Sequence, residues 1–424
     1  MGSGKKMRTA ALLPIAVLAI TAACGGESAD SEITLRFSYW GSEARQKMTQ
    51  EAIKKFEAKN PNIDIEEEFS DFGQYYETLA TKVASDQAPD VITLEIRGLR
   101  EYADRGTLAD LSSQVNTAFI DGKVLATGAI DGKQFAIPTG VNAWSLVVDP
   151  KAVKDSGQKL PDDTMWTWEQ YIDLAAKITA RSGGKIYGTQ QAFNPAFLQI
   201  FAAQRGESFY KGNKIGISRD TIKAWWAVHR KLIQTKGSPD AAKSITLATL
   251  SEDRSLFATG NGAMGMWWSN QLGSINKASG GREVDLLRMP KARGAVAGGM
   301  FLQPAMFYAA SAKSDHQAAA AKFIDFMIND PDAGAIILSD RGLPASFRVL
   351  ATVKNKLPET DRKTLAFLDE IKDELTDSPT APPKGASAIE AILTRYTNEV
   401  LFSRMTPDDA AQKFISEVNA LIAG

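Results

Sequence analysis

The sequence predicts an α/β chain folded as two lobes joined by chain crossings, with a cleft between the lobes. Three observations carry that expectation. At 424 residues the chain exceeds what one hydrophobic core usually organises. Its opening segments alternate strand-like and helix-like patterns at the spacing of a parallel βαβ sheet. Turn residues then punctuate the chain near Ile137–Asn142, Gly298–Gln303 and Gly342–Ala345, as passage between lobes requires.

The N-terminus is a targeting segment. Lys5, Lys6 and Arg8 precede the apolar, small-residue run Ala10–Ala23, which is too short to span a bilayer and fits a secretory leader. The run ends in Thr21-Ala22-Ala23-Cys24, followed by Gly25-Gly26. This resembles a bacterial lipobox, with Thr21 where leucine is preferred. The resemblance implies a signal peptide over 1–23, lipidation of Cys24, and a flexible tether over 24–32. Met1-Gly2 does not read as a myristoylation site, because Lys6 stands where Ser or Thr is needed. Loss of the leader removes Lys5, Lys6 and Arg8, so the formal charge of −1 becomes about −4. Cys24 is the single cysteine, which leaves core burial rather than disulfides to hold the fold. A chain 44% apolar and 23% charged is a soluble globular one. Near-neutral charge without a dense basic run argues against nucleic acid.

Ile33, Leu35, Phe37 and Tyr39 alternate as a strand, and Ser42 can cap the helix that carries Ala44, Met48, Ala52, Ile53 and Phe56. Asn60-Pro61 stops that helix. Ile63, Ile65, Glu67 and Phe69 form a second strand, Gln74–Ala84 a helix, and Val91–Leu94 a buried third strand. Right-handed crossovers place the loops after these strands on one sheet edge. Glu95–Arg105 and Thr107–Leu111 read as helical turns. The stretch Asp131–Asp149 follows: Asp131-Gly132 turns, Pro138 and Gly140 break the ladder, and Ala143–Val148 is apolar again.

Beyond it, Thr167 and Gln170 make a capping box for a helix over Met165–Ala180. Ile186–Gln190 reads as a short strand, and Asn194–Gln204 and Arg219–Gln234 as helices. Ser255–Thr259 reads as a helix end, and Ala263–Trp268, Val284–Met289 and Phe307–Ser311 as strands. The tail is helical over His316–Asn329, Pro331–Leu338, Glu359–Leu375, Ser387–Phe402 and Pro407–Ile422, interrupted by the proline-rich loop Thr376–Gly385.

From Thr34 onward the chain resembles the extracellular solute-binding proteins of bacterial carbohydrate ABC transporters, family 1, of the maltose-binding type. The matching pieces are Gln87–Val91, Asp131–Pro138, Trp166–Trp168, Phe257–Asn270 (FATGNGAMGMWWSN), Ala310–Ser314 with Phe323–Phe326, and Thr406–Ala410. The resemblance implies a type II periplasmic-binding-protein-like fold: two lobes, three hinge crossings, and ligand between them. Lobe 1 is then expected over 33–138 plus 300–344, and lobe 2 over 139–299 plus 345–424.

A sugar ring has apolar faces and a hydroxyl rim, so its site needs aromatic platforms with carboxylates, amides or guanidinium around them. A stack is worth roughly 1 kcal/mol beyond area, and micromolar affinity needs about −8 kcal/mol. Two or three stacks with several hydrogen bonds suffice. Trp40 and Glu43 after the first strand, Asp71 and Gln74 after the second, and Glu95 and Arg97 after the third are candidates by position. Each can instead pack or pair on its own lobe. Against the family pattern, Asn142 and one of Trp267 and Trp268 are implied contacts. Adjacent residues on a strand face opposite ways, and the sequence does not choose between the two indoles. Asn270, Gly299 and Gln303 are further candidates. Phe193, Asn194 and Phe197 resemble the family's aromatic helix start, with Ala196 where an aromatic is often found. Trp166, Trp168, Trp225 and Trp226 read as structural. His229 and His316 lie on separate predicted helices, so no transition-metal site and no cofactor are expected.

The expected function is a lipid-anchored receptor, on the outer face of the cell membrane, that captures a sugar, chiefly an oligosaccharide. It would act as a monomer and deliver its cargo to the permease subunits of an ABC importer. Three alternatives stay open at this point: a glycosidase using two of Glu43, Asp71 and Glu95, a surface adhesion or scaffold lipoprotein, and the same fold holding a non-sugar solute.

Overall fold

The computed structural model describes residues 32–422. The expected leader, Cys24 and all of the tether except Glu32 lie outside the described residues. Alternation in β1 (Ile33–Trp40) buries Leu35, Phe37 and Tyr39 on one face. β2 (Ile63–Ser70) runs parallel to it from Ile33↔Ile63 to Trp40↔Ser70, and β3 (Val91–Leu94) flanks its other side in parallel. Helix Glu43–Lys59 connects β1 to β2, with the Ser42 hydroxyl accepting from the Arg45 N–H. Its buried Ala52, Ile53 and Phe56 face the sheet, and Phe56 meets Phe323 edge-on at 5.0 Å.

A two-residue ladder of β4 (Ala129–Ile130) and β5 (Lys133–Gln134) is turned by Asp131-Gly132, both at positive φ. β6 (Ile137–Pro138) then ends the first lobe, and after Thr139 the chain enters β7 (Gly140–Val148). β8 (Met264–Trp268) and β9 (Asp285–Leu287) pair with the far half of β7, at Trp144–Val148 and Leu146–Val148. β10 (Leu302–Pro304) pairs with its near half at Val141–Ala143. β11 (Phe307–Ala310) returns to the first sheet, antiparallel to β3 and to β6. β12 (Leu343–Pro344) comes back to Gly140 and Val141. The first sheet therefore runs β2-β1-β3-β11-β6, and the second is built around β7. The three crossings are β6 to β7, β10 to β11, and β12.

Two buried clusters serve the first sheet, one on each side: Leu35, Phe37, Phe56 and Phe323 in one, Trp40, Tyr75, Leu94 and Phe307 in the other. The large cluster of the second lobe holds Trp166, Trp225, Trp226 and Phe301. Val349 through Ile422 contribute to that same cluster, so the helical tail packs with the second lobe. One tie is the Trp226 indole, which donates to Thr397 Oγ1 at 3.0 Å.

Three local expectations are corrected. Thr107–Leu111 is extended rather than helical: Leu108 bridges Ser311, and the Ala109 N–H donates to the Ala310 carbonyl at 2.9 Å. Sheet-edge pairing there satisfies the backbone that a helical turn would have served. Ile186–Gln190 makes only the bridges Tyr187–Gly262 and Gln190–Gly265. Ser255–Thr259 is turn following a 3-10 segment at Glu252–Arg254, and the Arg282 guanidinium holds the carbonyls of Phe257 and Ala258.

The crossing at Gly140 leaves no room for a side chain. A Cβ there would lie 2.2 Å from the Arg341 carbonyl oxygen. Gly140→Ala should therefore cost about 1–3 kcal/mol of unfolding free energy in a urea titration. Gly122→Ala, which meets open space, should leave the midpoint nearly unchanged. The second prediction concerns His229, 1% exposed between Phe193, Phe197 and Trp225. Burial lowers its pKa from 6.5 to about 3. The unfolded chain then binds a proton below about pH 6.5 that the folded chain refuses, so stability falls as pH drops through this window. His229→Asn should lose less stability than the parent between about pH 7 and pH 4, by a difference on the order of 3 kcal/mol. Equal acid slopes in the two proteins would contradict it.

Candidate functional site

Two adjoining cavities, of about 540 and 290 Å³, open where the lobes meet. They share Asn194, Trp268 and Glu390. The larger is walled by the second lobe: Trp144 on β7, Trp267 and Trp268 on β8, the segment Gln190–Asn194, and helix Ile389–Leu401. The smaller reaches the first lobe through Glu95, Ile96 and Arg97 and the crossing through Gln303, Pro304 and Ala305.

β8 decides where the two indoles go. Antiparallel pairing sets Trp144 opposite Trp268 and Ser145 opposite Trp267. Trp268 meets Trp144 edge-to-face, centroids 5.0 Å apart at 81°, and is the indole that borders both cavities. Trp267 turns to the other side, folds over Gly265 and meets Phe257 edge-on at 5.9 Å. It borders the larger cavity with 9% of its surface exposed. Gln271 fixes the end of β8: its carbonyl oxygen accepts from the Trp268 N–H at 2.9 Å, and its amide donates to Glu252.

Asn194 caps helix Pro195–Ala203, its Oδ1 accepting from the Ala196 N–H at 2.8 Å. That leaves its amide nitrogen for the space it borders. Phe193 also borders the larger cavity and rests on His229 at 4.9 Å. Phe197, 1% exposed, is packed against Trp168, Trp225 and His229 inside the core and reaches neither cavity. Behind Phe193, His229 Nδ1 lies 2.6 Å from Gln191 Oε1, and the Gln191 amide donates to Ser238 at 2.7 Å.

Glu95 and Arg97 border the smaller cavity as a pair, 2.7 Å apart, and Arg97 also reaches Glu390 across the cleft at 3.1 Å. Gln303 borders the same cavity beside the crossing. Its ladder partner Asn142 is 4% exposed and borders neither cavity. Gly299, at φ +78, is held by packing: a Cβ there would lie 2.4 Å from the Ile200 carbonyl. Asn270 is exposed on the turn after β8, outside both cavities.

The four candidates after the first two strands are not brought to the cavities. Trp40 is 6% exposed under Phe72, Tyr75 and Tyr76, with centroids 4.9–5.8 Å away. Asp71 caps the next helix by accepting from the Gln74 N–H at 3.0 Å. Glu43 and Gln74 are exposed at helix starts.

Residues that sequence reasoning missed include Gln191, Glu252, Gln271, Glu390 and Asn398, all bordering the larger cavity. One signal was available. Glu390, Thr394 and Asn398 recur every four residues and form a polar stripe beside the buried Ile389, Leu393 and Val400.

A family model described as bacterial extracellular solute-binding protein matches residues 40–333. An uncharacterized lipoprotein in the oleD 5′ region of Streptomyces antibioticus is 24% identical over 361 residues, 81% of this chain and 78% of that one. Among solved structures, a family 1 extracellular solute-binding protein from Alicyclobacillus acidocaldarius superposes with a TM-score of 0.74 at 25% identity, over 93% of this chain and 99% of that one. An ABC substrate-binding protein from Listeria monocytogenes in complex with cycloalternan reaches 0.77 at 22% identity, over 93% and 100%. The sheet order, the crossings and a family match across most of the described residues lead to one conclusion: the chain belongs to the bacterial extracellular solute-binding proteins.

Proposed function

We propose that this protein captures a saccharide in the two adjoining cavities and passes it to the permease of an ABC importer. It would do so from the outer face of the cell membrane, as a monomer held there by lipid on Cys24. The observation that carries the reading is Trp268. Its indole stands at the junction of both cavities, braced by Trp144, with Asn194 and Glu390 beside it. An aromatic face ringed by amide and carboxylate groups matches a sugar's apolar face and hydroxyl rim. The Listeria relative bound to cycloalternan supports a saccharide, and the Streptomyces lipoprotein supports the anchor.

The family is one of binding proteins, which supports binding over hydrolysis. Of Glu43, Asp71 and Glu95, only Glu95 borders a cavity, and Arg97 holds it. No pair of those three is therefore assembled around a common space, as glycoside hydrolysis requires. A bound saccharide instead touches both walls of the smaller cavity, which favours the conformation in which the lobes approach.

A thermal-shift screen of mono- and oligosaccharides should yield a compound that raises the melting temperature by mass action. With that compound, Trp268→Ala should weaken binding at least about tenfold, the loss of one stack and its buried area. Trp267→Phe, which keeps an aromatic ring against Phe257, should weaken it less. The reverse ranking would place the platform on Trp267, and product formation at stoichiometric protein would defeat the binding reading.

A further inference from the structure

The ionisable side chains bordering the larger cavity are Glu252 and Glu390, both acids. In the smaller cavity Glu95 and Arg97 join Glu390. Arg97 is already engaged on two sides, 2.7 Å from Glu95 and 3.1 Å from Glu390. Across both walls, Glu95, Glu252 and Glu390 stand against Arg97, and no lysine or histidine is among the bordering residues. A second observation is the wall's neutral polar character: Gln190, Gln191, Asn194, Thr394 and Asn398 border the larger cavity beside the two acids, groups that pair with hydroxyls and bring no positive charge.

We infer that the cleft selects its saccharide by charge, taking uncharged or amine-bearing sugars and excluding sugar acids. The inference rests on the saccharide reading and narrows its substrate class. A sugar carboxylate entering the larger cavity would leave water beside two carboxylates and find no unengaged cation. Arg97 spends three of its five N–H groups on Glu95 and Glu390, so its single charge is already shared by two carboxylates and a third would enter without charge compensation. A hydroxyl or ring oxygen meets no such penalty, and an amine gains from Glu252 or Glu390. Discrimination of this kind comes from repulsion built into the wall rather than from tighter contacts to the preferred sugar.

The test uses hexoses of gluco, galacto and manno configuration, each as the neutral, 2-amino and 6-uronic form, as monomers and β1,4-linked trimers. Binding to the full mature chain is followed by tryptophan fluorescence at low ionic strength. The expected result is that, in the configuration that binds, the uronic form is at least tenfold weaker than its neutral parent. The gap should shrink in concentrated salt and again in Glu252→Gln, where the uronic form gains and the neutral form does not. A uronic form that binds as tightly as its neutral parent overturns the charge filter and leaves the saccharide reading standing. A gap that Glu252→Gln and salt both leave untouched also overturns it, since shape would then be the cause. Silence from the whole panel overturns the saccharide reading and the filter with it.

Discussion

The backbone ladder of β7 is the constraint on which the rest of the structure depends. Nine residues, Gly140–Val148, carry two jobs in sequence. The first few pair with β10 and β12 and form the crossing; the rest pair with β8 and β9 and form the wall of the larger cavity. A strand cannot slip by one residue without turning every side chain to the other face. The register that seats Gly140 under Arg341 therefore also sets Trp144 opposite Trp268. The crossing and the paired indoles thus share the register of one strand.

Near the third crossing the lobes are firmly packed, with Val349 against Gly334 and Phe347 edge-on to Phe119 at 5.6 Å; the contacts that span the cleft itself are slight by comparison. The Arg97–Glu390 pair is half exposed on both sides, and exposed pairs contribute about 0–1 kcal/mol. The Lys123–Asp377 pair is more exposed still. Ala381, on the proline-rich loop, is a firmer contact: it is 6% exposed within the cluster that holds Trp40 and Tyr75. None of these amounts to a buried interface of the kind that fixes domains. On the proposed reading, the free energy for closing comes mainly from what the ligand touches on both walls.

Much of this was legible in the sequence, and the failures have physical causes. The βαβ alternation and the Thr167–Gln170 capping box are local patterns, and they formed where expected. The second crossing falls after Pro304 rather than over Gly298–Gln303, because Phe301 packs in the second lobe and Leu302–Pro304 still pairs with β7. The opposite facing of Trp267 and Trp268 follows from strand period alone. Which one borders both cavities depends on Trp144 across the ladder, a partner more than 100 residues away that no local pattern identifies. The rule that ligands gather at strand carboxyl ends pointed to Trp40 and Asp71 as well as Glu95. The helix after β2 bends back, covering Trp40 with Tyr75 and Tyr76 and engaging Asp71 as its cap. Glu390 and Asn398 reach the cleft only because the tail returns to the second lobe, a tertiary event that their helical stripe hints at but does not place.

Small-angle X-ray scattering of the mature chain, with and without a saturating saccharide, puts the hinged grip to its most direct trial. The account predicts that the radius of gyration falls when sugar occupies both walls. A saccharide that saturates the cleft and leaves that radius unchanged would contradict it.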